Sequence, residues 1–170
     1  AKFLRGLGHE VLLIANGKAI ELFKDKEDHI VSDSAEKLVA DFGYPDILVT
    51  SMCSNGGVGR DLVPLLRGKC PTVALQDFWG ASLVDRGESA WGDKRYRPDY
   101  LVVNDEVGKK LVLNAWPDYR EEQVLALGYP ALDKYASLDV PGASERVRKL
   151  FGLKDTKPIV LFGGQGPLTA

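Results

Sequence analysis

The chain has 170 residues, 45% hydrophobic and 27% charged, with a net charge of −2. That length suffices for one well-buried domain, or for one domain and the edge of another, and the composition is ordinary for a globular protein. No Lys/Arg block gives the footprint of a nucleic-acid binder, and no apolar run approaches the roughly eighteen residues of a membrane span.

Cys53 and Cys70 make no disulfide framework and read as reduced thiols of a cytoplasmic protein. His9 and His29 have no Cys or carboxylate at ligand spacing, so no metal is expected.

In chain order, AKFLRG reads as a helical turn or two stopped by Gly6 and Gly8, before an apolar strand from Glu10 to Ala15. A doubly wound domain places a strand ahead of such a helix, so the first strand of the fold is expected to be absent here. Gly17 to Lys24 reads as a short helix and His29 to Ser32 as a short strand. Ser34 is placed to N-cap a helix over SAEKLVADF, whose apolar positions fall at helical spacing. PDILVT is a strand, SMCSNGGVG a loop, RDLVPLLRG a helix with Pro64 near its first turn, and PTVALQD a strand. After a long loop come the strand DYLVVN, the helix DEVGKKLVLNAW and the strand QVLALG. DKYASLDVPGASE reads as a connector, ERVRKLFG as a helix and KPIVLFGG as a last strand.

Strands alternating with helices, with continuous apolar runs such as ILVT, TVAL and YLVV, predict an α/β fold. The expected form is a Rossmann-like parallel sheet with helices on both faces. A boundary near Pro141-Gly142 divides it into a domain over 1–141 and, over 142–170, a connector with the opening strand of a second domain.

In an open parallel sheet, ligands lie beyond the carboxyl ends of the strands. In SMCSNGGVGRD, Gly57 and Gly59 give a G-x-G, and Asp77 lies about twenty residues on. The glycines come some six residues after the strand, however, and Leu62 occupies the third glycine position, which counts against a dinucleotide site. The alternative is a loop whose backbone amides at Gly56 and Gly57, with Ser51, Ser54 or Asn55, face a ligand. Cys53 has no visible catalytic partner.

Asp77, at a strand end beside Phe78 and Trp79, would be partly desolvated. That raises a carboxylate's pKa and suits a general base; the competing role is pairing with a loop arginine such as Arg86. Asp105 in Asn104-Asp105-Glu106 is placed to cap the next helix. Trp91 and Tyr96 are suited either to stacking on a sugar ring or to anchoring the loop.

PDILVT, PTVALQDFWG, RPDYLVVNDEVGKKL, QVLALGYPALDKY and KPIVLFGGQG, in that order, resemble the N-terminal half of GT-B fold glycosyltransferases. The nearer look-alikes are bacterial surface-polysaccharide enzymes and the related sugar-nucleotide 2-epimerases. The likeness covers roughly residues 9 to 166. It rests on Asp77-Phe78-Trp79, on Pro98-Asp99 with Asn104-Asp105-Glu106, and on Gly128-Tyr129-Pro130 with Asp133. Phe78 stands where such enzymes more often have His; if that His is the base in some relatives, this chain uses Asp77 or does without.

The resemblance implies two Rossmann-like domains facing a cleft, no cofactor or metal, and a nucleotide sugar held mainly by the second domain. The first domain offers Asn104, Glu106, Gly128 and Pro130 to a glycan or lipid-linked acceptor, the latter of which would bring the protein to a membrane surface. Gly163, Gly164 and Gly166 would approach phosphate through their backbone amides. On this reading the 170 residues alone lack transferase activity. A UDP-sugar 2-epimerase and a non-catalytic sugar- or nucleotide-binding module are the alternatives.

Overall fold

The computed structural model describes residues 1–25, 28–52, 57–76, 91–154 and 157–159. The expected last strand, KPIVLFGG, falls largely outside them. Among the described residues two parallel sheets form. A small one pairs β1 (Ile14–Ala15) with β2 (Ile30–Val31). The larger contains β3 (Leu48–Ser51), β4 (Thr72–Leu75), β5 (Tyr100–Val103) and β6 (Val124–Ala126), side by side in chain order and all parallel.

Among the described residues the helices are α1 (Lys2–Gly6), α2 (Ala19–Phe23), α3 (Ala35–Phe42), α4 (Val58–Leu66), α5 (Glu106–Ala115) and α6 (Val140–Leu150). With α4 crossing from β3 to β4 and α5 from β5 to β6, this is a Rossmann-like α/β fold. The expected α/β class holds.

Register divides the larger sheet into two unequal faces. Thr50, Ala74, Leu101 and Val124 are in line, and Ala74, Leu101 and Val124 are fully buried. They form the core with Val63, Leu66, Val103 and Val112. The other face carries Val49, Val73 and Tyr100 in line, and Val49 and Tyr100 are exposed. Cover on both faces was expected from the apolar runs; among the described residues only one face is fully covered.

Local chemistry explains the helix boundaries. Ser34 Oγ accepts from the Lys37 amide at 3.1 Å, so α3 starts where the sequence places its cap. Pro64 is the seventh residue of α4 rather than part of its first turn. The Arg60 carbonyl loses its helical donor there, tolerable because α4 ends two residues later. The segment expected as a connector is structured: a 3-10 helix spans Pro130–Tyr135, and α6 begins at Val140, five residues before Glu145. Asp139 accepts from the Gly142 amide at 3.0 Å, and Pro141 sits in the first turn, where its missing N–H has no role. The chain divides into two compact units, Ala1–Tyr129 and Pro130–Ala170.

Candidate functional site

Parallel register brings the carboxyl ends of four strands to one edge. Ser51, Leu75, Val102 and Leu125 are in line, so Met52, Gln76, Asn104 and Leu127 follow close beyond them. Among the described residues α4 and α5 begin at this edge, and they begin differently.

At the start of α4, Gly57 holds φ +108° and caps the helix with no side chain. A Cβ there would lie 3.1 Å from Asn16 Nδ2, so the residue after β1 reaches this turn. Gly59 lies against β3: a Cβ would meet Thr50 Oγ1 at 2.1 Å. Leu62 is buried in the core. Gly59 therefore serves the close approach of helix to strand, and the residue at the third glycine position is a packing residue.

At the start of α5, Asp105 Oδ1 accepts from the Gly108 amide at 2.7 Å, the expected cap. The Gln76 amide donates to the Val102 carbonyl at 2.8 Å, extending the β4–β5 ladder one residue past the strand. Gln76 is only 5% exposed, and its Oε1 lies 3.5 Å from the point where a Cβ on Gly108 would stand. Asn104 is half-buried, and its Oδ1 is buried with no hydrogen-bond partner. Glu106 is exposed in the first turn. Asp105 Oδ1 and Gln76 Oε1 both lie close to Gly108.

The structure thus brings Ser51, Gly57, Asn104 and Glu106 to one edge, with Gly128 just past β6 at φ +90°. Pro130 opens the 3-10 helix of the second unit, and Asp133 is exposed in it. Cys53, Ser54, Asn55, Gly56, Asp77, Phe78, Trp79, Arg86, Gly163, Gly164 and Gly166 lie outside the described residues.

Trp91 and Tyr96 are anchors. Trp91 is fully buried, and Tyr96 lies against two guanidinium groups, Arg60 at 4.4 Å and Arg95 at 4.8 Å from its ring centre. Sequence reasoning marked the strand end at Gln76 without giving that residue a role, and it passed over Asn16. Their signal was a polar amide directly after an apolar strand, the same signal that Asn104 gives.

Titration is perturbed elsewhere. Burial pushes the Cys70 thiol up from its ordinary value, and burial likewise pushes the Tyr119 hydroxyl up. Partial burial would raise the Asp118 carboxyl. The hydrogen bond and charge of Arg97 outweigh it, with Lys94 adding to them, and hold it below the usual range.

No described helix is long and apolar enough to cross a membrane. Among the described residues no group of three His, Cys, Asp or Glu is placed to hold a metal. No protein-family model, curated protein or solved structure matches the chain. Fold and strand order define a Rossmann-like α/β domain.

Proposed function

We propose that the protein supplies the acceptor side of a GT-B type glycosyl transfer, from a nucleotide sugar to a glycan or lipid-linked acceptor in the cytoplasm. The observation that carries this reading is the placement of the motif residues. Asn104 and Glu106 follow β5 directly, Gly128 follows β6, and these neighbouring parallel strands end at the same edge. Ligands of open α/β sheets lie at such an edge.

In this reading an acceptor hydroxyl rests against the edge, and Asp77, two residues beyond β4, takes its proton. The freed oxygen bonds to the sugar's anomeric carbon as the bond to the nucleoside diphosphate breaks. A second αβα domain holds the donor, with Gly163, Gly164 and Gly166 at its phosphates.

The test is transfer by the full-length protein over a panel of nucleotide sugars and oligosaccharide acceptors. Asp77→Asn is expected to slow transfer by about a hundred-fold to ten-thousand-fold with little change in melting temperature. Near-normal turnover with a clearly lower melting temperature would make Asp77 structural. No transfer from any donor would remove the reading.

A further inference from the structure

We draw no further inference here: the strongest candidate, the apolar face of the four-stranded sheet that carries exposed Val49 and Tyr100 in line with Val73, supports none, because nothing in the structure shows what covers it.

Discussion

The two ends of the four-stranded sheet are built on opposite principles. At the amino end the polar groups around β4 and β5 close on one another. Asp99 Oδ2 accepts from the Thr72 amide at 2.9 Å and from its hydroxyl at 2.8 Å, and Thr72 Oγ1 accepts from the Asp99 amide at 2.9 Å. Gln123 Nε2 donates to the Asp99 carbonyl at 2.9 Å, and Tyr119 donates to the Pro98 carbonyl. One Arg67 nitrogen reaches the carbonyls of Lys94, Arg95 and Arg97.

At the carboxyl end α4 begins on a bare glycine, and Asn104 keeps a buried oxygen unpaired. The amino end ties β4, β5 and the turn before β6 into one unit and so fixes where the strands end. The carboxyl end is held in place by that unit. Under the acceptor-side proposal, stability and recognition fall to opposite ends of the same strands.

Changes in the core and at the amino end should act on stability alone. Trp91→Ala, which empties a fully buried site, should cost about 3–5 kcal/mol in urea denaturation. A loss under about 1 kcal/mol would mean that Trp91 is not core. Asp99→Ala leaves the buried Thr72 amide and hydroxyl without their acceptor, and about 2–3 kcal/mol should be lost. If it instead altered ligand affinity at unchanged stability, the division between the two ends would fail.

The smallest effect concerns Asp118. Its carboxyl pKa is lowered by folding, so its stabilisation is fully present above the unfolded carboxylate range. It is lost as pH falls through the lowered folded value. Wild type should exceed Asp118→Asn by about 0.5 kcal/mol at pH 7, the scale of a solvent-screened pair, and the gap should close below about pH 4. A gap that widened in acid would contradict the assigned direction.

Much of the fold was legible because its signals are local. Ser34 and Asp105 are caps that the sequence shows directly, and the runs ILVT, TVAL and YLVV mark strands without help from elsewhere. What was illegible depends on distant partners. Gly59 looks like a turn glycine until Thr50 is seen against it, and Trp91 looks like loop material until the core closes over it. The start of α6 was missed because Pro141-Gly142 reads as a break, whereas Asp139 turns it into a capped first turn. At the site, the polar residue after each apolar strand was a usable signal. It found Asn104, but the burial that sets Gln76 and Asn104 Oδ1 apart is a property of packing alone.

The most direct measurement of the two-ended account is an amide chemical-shift map of the chain titrated with an oligosaccharide acceptor. The account predicts shifts clustered at Ser51, Met52, Gln76, Asn104 to Gly108 and Leu127 to Gly128, with Thr72, Asp99, Tyr119 and Gln123 unmoved. Shifts centred on Thr72 and Asp99 would contradict it.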